Sequence, residues 1–262
     1  MSFDRATYII EPIAIEKELK MLFKTGSPLT IFEIGACEGE DSMRYARLFP
    51  HAKVYALEPL PKNVEYIRSN IAKYQAHNVS VHQLALSSIN GTTEFHVSSG
   101  RPEHATETDW DYGNKSNSLL PPDKHKELAD FISFNEQILV ETQTLKTFCT
   151  NHHIIEIDFI HMDVQGAELM VLEGAADYLQ HIKAIWLEVS TVHLYKNQPL
   201  VNDVQDFMQQ HNFVLAKNCV TGMQGDHLYI STKHFPNHVE IVKKINSKPS
   251  LLNIILKKLG IN

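Results

Sequence analysis

The chain has 262 residues, of which 43% are hydrophobic and 21% are charged, and its formal net charge is −7. This length and composition indicate one ordinary globular domain with a sizeable core, and the acidic balance argues against a sequence-independent grip on nucleic acid phosphates. The three cysteines predict neither a disulfide framework nor a zinc site. With no signal peptide or membrane-spanning run in the sequence, we expect a cytoplasmic protein.

The apolar pattern predicts a helix over residues 11–25 and then strands that alternate with helices. The predicted strands cover residues 29–34, 52–57, 79–86, 91–97, 137–142, 157–162, 182–189, 213–217 and 227–231. The predicted helices cover residues 40–49, 61–74, 145–151, 167–179 and 201–211. Such alternation is typical of parallel β-α-β units with right-handed crossovers. The last two strands are joined by a short link with Gly222 and Gly225, which predicts an antiparallel hairpin.

Composition divides the chain into an N-terminal helical extension over residues 1–28, a sheet domain over 29–235 and a tail over 236–262. Residues 98–136 are rich in glycine and proline with little period, which predicts a long lid or substrate loop. The tail combines five lysines with apolar residues at helical spacing: Lys243, Lys244, Lys248, Lys257, Lys258, Leu251, Leu252, Ile255 and Leu259. It predicts a basic amphipathic helix for which three partners stay open: its own domain, a dimer partner or an anionic membrane surface. Disorder of the tail is also open.

The first motif with chemical meaning is a glycine turn that carries Glu33, Gly35 and Gly39, followed by Glu58 at the end of the second strand. Glycines let the backbone approach a ligand, and an acid at the end of the next strand can accept both ribose hydroxyl hydrogen bonds. Three residues separate the two glycines, unlike the G-x-G-x-x-G of nicotinamide and flavin binders. The wider turn resembles the S-adenosylmethionine loop of Rossmann-type methyltransferases. A purely structural turn and a merely solvated acid are the alternatives.

Two later strands also end in acids, Asp163 and Glu188. If these strands are adjacent, a spacing of about 4.8 Å places both carboxylates at one sheet edge. Such a pair could bind the amino group of S-adenosylmethionine, orient a sugar hydroxyl or hold a divalent cation, or it could be satisfied by backbone amides. Asp163 could instead cap the following helix, and Glu168 in the first turn of that helix is also explained by the helix dipole.

Seven segments taken in order resemble the FkbM family of S-adenosylmethionine-dependent methyltransferases. They are FEIGACEGEDS, VYALEPLPKN, VSVHQLALSSINGTTEF, SNSLLPP, VETQTLKTF, IDFIHMDVQGAELMVLEGA and IWLEVS. The resemblance implies an α/β fold with a Rossmann-like class I methyltransferase sheet, mostly parallel with a C-terminal antiparallel hairpin and with helices on both faces. It also implies O-methyl transfer to a hydroxyl of a glycan or small molecule, and it makes residues 29–235 the methyltransferase domain. The family usually has Glu at the position of Gln165, and Lys is frequent at that of His161.

The resemblance also implies positions for the cofactor. Those around its methionine portion are Glu33, Gly35, Ala36, Cys37 and Gly39. Those around its adenosine are Glu58 at the ribose, and Pro59, Leu60, Ala85, Leu86 and Ser87 near the adenine. Asp163 would face the reaction centre.

A hydroxyl acceptor must lose its proton as it attacks, and Asp163 or His161 could remove it because residues two apart on a strand share a face. His161 is equally explained as a core residue, and His104 is a weaker candidate base. The candidate substrate contacts are Asn117, Ser118, Glu168 and Glu188, with Lys115 as a further polar residue of the long loop. The histidines show no metal-ligand spacing, so no metal site is predicted.

Two other functions stay open at the level of sequence. A cofactor-binding scaffold without catalysis is motivated by Gln165 and the basic tail, and a nicotinamide-dependent oxidoreductase is motivated by the acid after the second strand. The glycine spacing and the terminal hairpin count against the oxidoreductase. Nucleic acid methylation is disfavoured because the residues after Asp163 lack the Asp/Asn-Pro-Pro-aromatic arrangement of exocyclic-amine methylation.

Overall fold

A computed structural model describes residues 5–105, 111–125 and 129–247. Within them, seven strands form the main sheet: β1 (Thr30–Ile34), β2 (Lys53–Leu57), β3 (Val79–His82), β7 (Ile157–Met162), β8 (Ile182–Ser190), β9 (Phe213–Asn218) and β10 (Gln224–Ser231). Their order across the sheet is β3-β2-β1-β7-β8-β10-β9. The strands β4 (Ala85–Leu86), β5 (Gly91–Ser99) and β6 (Ser133–Gln143) form a smaller sheet in the order β4-β6-β5.

Strands β3, β2, β1, β7 and β8 are parallel, and β10 is antiparallel to both of its neighbours. The predicted C-terminal hairpin is therefore confirmed, and its second strand inserts between β8 and β9. The sheet is a Rossmann-like class I methyltransferase sheet, as the sequence predicted.

Helices cover both faces of this sheet. They are α1 (Arg5–Ile10), α2 (Glu16–Leu22), α3 (Glu40–Leu48), α4 (Pro61–Tyr74), α5 (Leu145–Asn151), α6 (Glu168–Ala175), α7 (Val201–Gln210) and α8 (His238–Asn246). One apolar core joins the sheet to α1–α4 and α8, and the other joins it to α5–α7. Successive strand residues alternate between the two cores: Ile31 packs in the first and Phe32 in the second. None of the described helices is long and apolar enough to cross a membrane.

Several predicted boundaries were wrong. The predicted helix over 11–25 is shorter, Glu16–Leu22, and the separate helix Arg5–Ile10 ends before it, because Pro12 disfavours helical backbone at the residue before it. The strand over 79–86 breaks after His82, and its end joins the smaller sheet as β4.

The helix over 167–179 ends as α-helix at Ala175 and continues as a 3₁₀ segment, Ala176–His181. Gly225 lies inside β10 rather than in the hairpin link.

The long loop is shorter than predicted, because β5 extends to Ser99 and β6 begins at Ser133. Between them, Tyr112–Ser116 forms a 3₁₀ turn that packs beside β5. In the tail, α8 covers His238–Asn246, and the predicted apolar positions from Leu251 onward lie outside the described residues. The division into residues 1–28, 29–235 and 236–262 stays a prediction.

Candidate functional site

Four strand ends of the main sheet meet in register at one edge. Ile34 of β1 pairs with Leu57 of β2 and with Met162 of β7, and Met162 pairs with Leu187 of β8. The residues one position further along these strands are Gly35, Glu58, Asp163 and Glu188. Because ligands of open α/β sheets bind outside the carboxyl ends of the strands, this edge is the candidate site.

The glycine turn after β1 packs directly against the neighbouring strand ends. The backbone N–H groups of Gly35 and Ala36 donate hydrogen bonds to the carbonyl of Leu57, at 3.0 and 3.1 Å. Gly35 has a φ of 81°, and a Cβ at this position would lie 2.0 Å from the backbone oxygen of Asp163. Only glycine combines this backbone conformation with so close an approach. The turn therefore holds its backbone against the end of β7.

Glu58 joins the glycine turn to the start of α4. Its Oε2 accepts the N–H of Cys37 at 2.8 Å, and its Oε1 accepts the N–H of Leu60 at 2.8 Å and Asn63 Nδ2 at 3.4 Å. Burial raises the pKa of Glu58 to about 7, although these three hydrogen bonds favour its ionised form. A carboxylate offers about four lone-pair positions, so Oε2 retains acceptor capacity for a further donor.

A cavity opens at this edge of the sheet. Of the positions predicted for the cofactor, those that line it are Gly35, Cys37, Glu58, Pro59, Ala85 and Leu86. Asp163 and Asn117 line it as well. Its apolar wall contains residues that sequence reasoning missed: Ile34, Leu57, Leu84, Phe95 and Leu119. Their pattern does not distinguish them from ordinary core residues.

The other predicted cofactor positions lie close to the cavity without lining it: Glu33, Ala36, Gly39, Leu60 and Ser87. Glu33 accepts a hydrogen bond from the Ser42 hydroxyl on the α3 side of the sheet. Ser87 donates its N–H to the Gln143 carbonyl at 2.9 Å. His104 is exposed in a turn and does not line the cavity.

A network of amide side chains attaches the 3₁₀ turn Tyr112–Ser116 to the cofactor side of the site. Asn114 Nδ2 donates to Asn63 Oδ1 at 2.8 Å and to Glu38 Oε1 at 3.0 Å, and Asn63 donates to Glu58. Asn117 Nδ2 in turn donates to the Asn114 carbonyl at 2.6 Å. Asn63 and Asn114 were not predicted from the sequence. The only sequence feature that marks them is position: Asn63 comes just after Glu58, and Asn114 lies within the long loop.

Lys115 follows Asn114 and brings a positive charge to the cavity wall. Its Nζ lies 4.0 Å from Glu40 Oε1 and 5.7 Å from the centre of the Tyr8 ring. The side chain is 46% exposed, so it can turn towards a bound anion.

On the other side of Asp163, the Gln165 side chain connects two carboxylates. Gln165 Nε2 donates to Asp163 Oδ1 at 2.7 Å and to Glu188 Oε2 at 2.8 Å, and the Tyr195 hydroxyl contacts Gln165 Oε1 at 3.0 Å. Burial and the nearby carboxylates of Asp163, Glu168 and Asp226 raise the pKa of Glu188 well above its ordinary value. The sequence analysis missed Tyr195 and Asp226.

The two further substrate candidates have partners in the turn after β7. Glu168 Oε1 accepts the N–H groups of Val164 and Gly166, both at 3.2 Å. Ser118 Oγ donates to the Gln165 carbonyl at 2.8 Å and is fully buried. Neither residue lines the cavity.

His161 faces the α3 side of the sheet, with its ring centre 5.7 Å from that of Tyr45. Potential ligand atoms of Glu33, Asp41 and His161 lie within 4.8 Å of one another, so this group could hold a metal ion. Arg44 Nη1 contacts Asp41 Oδ1 at 2.8 Å and already supplies a positive charge there. His161 does not line the cavity that Asp163 lines.

The chemistry of the cavity walls fits the expected S-adenosylmethionine. Glu58 would hold the ribose hydroxyls, and the apolar wall around Phe95 and Leu119 would receive the adenine. Lys115 would face the carboxylate of the methionine portion, and Asp163 the reaction centre.

The family model described as Methyltransferase FkbM domain matches residues 33–215. The 2-O-methyltransferase NoeI of Sinorhizobium fredii (strain NBRC 101917 / NGR234) is 29% identical over 221 residues, covering 84% of this chain and 86% of that protein. Methyltransferase 1 of Beauveria bassiana (strain ARSEF 2860) is 22% identical over 148 residues, covering 56% of this chain and 58% of that protein. Among solved structures, M. capricolum TrmK with S-adenosyl-homocysteine matches with a TM-score of 0.46 and 10% identity, covering 95% of this chain and 94% of that one.

The family match spans the glycine turn, Glu58, Asp163 and Glu188, the four strand-end residues that meet at the candidate site. This chain therefore belongs to the FkbM methyltransferase family, and it is an enzyme that uses S-adenosylmethionine as its cofactor.

Proposed function

We propose that the chain transfers a methyl group to a hydroxyl oxygen of a glycan or similar small-molecule acceptor. The observation that supports this most directly is the position of Asp163. Its side chain belongs to the wall of the cofactor cavity and is also hydrogen-bonded, through Gln165, to Glu188 at the end of the next strand. An acceptor that reaches the cofactor across this edge meets carboxylate oxygens, which accept hydrogen bonds from hydroxyl groups.

The bound cofactor supplies a methyl group activated by a sulfonium centre. The task of this chain's residues is then to align the acceptor oxygen and to remove its proton. Alignment alone is a large effect, with about 7–11 kcal/mol available from pre-organised geometry in favourable cases. Asp163 is the residue that we assign to the proton, because it lines the cavity and Glu188 does not.

Glu188 can take a different role from Asp163, because the pKa of Glu188 is raised. The raised pKa favours the protonated form of Glu188, which can donate a hydrogen bond to an acceptor oxygen, while the Asp163 side chain can accept one. Together, Asp163 and Glu188 would bind two hydroxyl groups of one sugar. The relative NoeI carries the name of a 2-O-methyltransferase, which agrees with transfer to oxygen.

The test uses purified protein, a labelled methyl donor and a panel of neutral monosaccharides, glycolipids and phenols, followed by mass spectrometry of the labelled product. We expect an O-methyl ether, and we expect Asp163→Asn to reduce kcat at least about a hundredfold, the usual scale for loss of a general base. Calorimetry with S-adenosylhomocysteine should show that this variant still binds the cofactor product. A labelled product methylated on nitrogen or carbon would refute the proposal.

A further inference from the structure

Gln165 occupies a backbone conformation that its side chain type rarely adopts. Its φ is 53°, in the left-handed region, and Gly166 follows with a φ of 96°. Such a conformation is strained for a non-glycine residue and persists when the surroundings enforce it. Here the surroundings are hydrogen bonds to both the side chain and the main chain of Gln165.

The side-chain amide points its nitrogen at the carboxylates of Asp163 and Glu188, at 2.7 and 2.8 Å. Its partners favour this orientation, because carboxyl oxygens accept hydrogen bonds from the amide nitrogen while the Tyr195 hydroxyl on the other side can donate one. The amide thus satisfies two acidic groups with two neutral N–H donors. No charged donor contacts this pair among the hydrogen bonds of the described residues.

The other half of Gln165 is attached to the segment that covers the cofactor cavity. The Tyr195 hydroxyl lies 3.0 Å from Gln165 Oε1 and 2.7 Å from the carbonyl of Ser116. The Ser118 hydroxyl donates to the Gln165 carbonyl at 2.8 Å. Residues 114–118, which bring Asn114, Lys115 and Asn117 to the cavity, are therefore attached to Gln165 directly through Ser118 and also by way of Tyr195, whose single hydroxyl proton is shared between two acceptor oxygens.

We propose that Gln165 is a positioning residue that joins the two halves of the reaction: its amide holds Asp163 and Glu188 as the acceptor-binding pair, and through Tyr195 and Ser118 it fixes the segment over the cofactor. The role of the acid pair rests on the proposed O-methyl transfer. The link between Gln165 and residues 114–118, the cofactor segment, does not depend on that proposal. A glutamate at this position would remove both N–H donors and add a third carboxylate beside the pair.

The ionisable groups around the pair define the expected pH effect. Glu168 of α6 and Asp226 of β10 face Glu188, Tyr195 contacts Gln165, and His161 of β7 lies near Asp226. Three of these neighbours are acids or a phenol, so a further carboxylate at 165 would raise the pH at which the pair loses its protons.

The first experiment measures S-adenosylhomocysteine binding by calorimetry and needs no acceptor. We expect Gln165→Leu, which keeps most of the volume, and Tyr195→Phe, which keeps the ring, each to raise Kd at least fivefold. Gln180→Leu and Tyr74→Phe are matched controls, because Gln180 is exposed on the 3₁₀ segment after α6 and Tyr74 lies at the end of α4. Thermal unfolding shows which variants are folded.

The second experiment records the pH profile of kcat with the acceptor found for the wild type. We expect the rising limb of the Gln165→Glu profile to move to higher pH by at least one unit, with Tyr195→Phe leaving its position unchanged. Wild-type Kd values for folded Gln165→Leu and Tyr195→Phe would overturn the link to the cofactor segment. An unshifted Gln165→Glu profile would overturn the role in the acid pair, whereas failure of O-methyl transfer leaves the first experiment intact.

Discussion

Glu58 accepts the backbone N–H of Cys37 at 2.8 Å, so the acid at the end of β2 is hydrogen-bonded to the glycine turn that follows β1. The two residues are 21 positions apart in the chain. Their contact joins the two parts of the cavity that we expect to receive the adenosine and the methionine portion of the cofactor. It also keeps a buried carboxylate in place before a ligand binds, so part of the ordering of this site is already present in the structure.

Glu58→Ala should weaken S-adenosylhomocysteine binding by about tenfold to a hundredfold, because hydrogen bonds to a charged group contribute about 1.5–3 kcal/mol. Binding should also depend on pH in the wild type. Before a ligand binds, the Glu58 carboxyl has a pKa of about 7. Its ionised form accepts more hydrogen bonds from hydroxyl groups than its protonated form does. Affinity should therefore fall as the pH is lowered below about 7. Calorimetry between pH 5.5 and 8.5 measures both effects.

Glu58→Gln is the control for this pH dependence, since it keeps one acceptor oxygen and cannot ionise. Its affinity should be lower than that of the wild type at pH 8 and nearly constant across the range. If the variant retained the full pH dependence, the titrating group would be a different residue, such as Glu168.

Gly35→Ala should abolish cofactor binding and lower the free energy of unfolding by about 3 kcal/mol. The added Cβ would lie 2.0 Å from the backbone oxygen of Asp163, and the φ of 81° is unfavourable for alanine. Because the obstacle is backbone, no side-chain rotation relieves it. Urea unfolding monitored by circular dichroism measures the loss.

Gly26→Ala is the matched control, because nothing lies within 4 Å of a Cβ at that position. We expect it to change the free energy of unfolding by less than about 0.5 kcal/mol. Equal stability of the two variants would contradict the close approach of the turn to β7.

The acids at the sheet edge could be predicted from the sequence because the pattern that marks them is local. Glu58 and Asp163 follow directly on apolar strands and Glu188 lies near the end of β8, so all three could be placed at the sheet edge without knowing the strand order. The same rule of alternation suggested that His161 and Asp163 reach one site. Asp163 lies beyond the last residue of β7, where the chain turns, and only Asp163 lines the cavity.

The residues that sequence reasoning missed depend on contacts between distant segments. Asn114 meets Asn63 across 51 positions, and Tyr195 meets Ser116 across 79. No spacing rule connects such pairs, because their proximity follows from the path of the loop between β5 and β6. The break of the predicted strand at His82 has a similar origin: its second half pairs with β6, which comes much later in the chain.

Asn114→Ala should raise the Kd for S-adenosylhomocysteine by about tenfold. The side chain is 3% exposed and donates to both Asn63 and Glu38, and its removal leaves two buried acceptors without this donor. Loss of the contact also frees the wall segment that carries Lys115. Asn135→Ala is the control, because Asn135 is exposed on β6 and donates to Ser133 in its own strand. The same Kd for both variants would argue against a role of the 3₁₀ turn in binding.

Glu168→Gln should become more stable relative to the wild type as the pH rises. Burial raises the pKa of Glu168 from 4.5 to about 7, so the folded protein holds this proton more tightly than the unfolded chain does. Between these two pH values the unfolded state binds fewer protons, and the stability of the wild type falls as the pH increases. The glutamine has no proton to lose, and its Oε1 can still accept the N–H groups of Val164 and Gly166.

The quantity to measure is the difference in unfolding free energy between Glu168→Gln and the wild type, by urea denaturation at pH 5 and pH 8. Between pH 5 and pH 8, we expect this difference in unfolding free energy to change in favour of the variant by about 1–3 kcal/mol, since one pKa unit corresponds to about 1.4 kcal/mol. Any constant effect of burying the amide cancels in this comparison, which isolates the ionisation. A difference that stayed flat or moved towards the wild type would mean that Glu168 ionises as easily in the folded protein as in the unfolded chain.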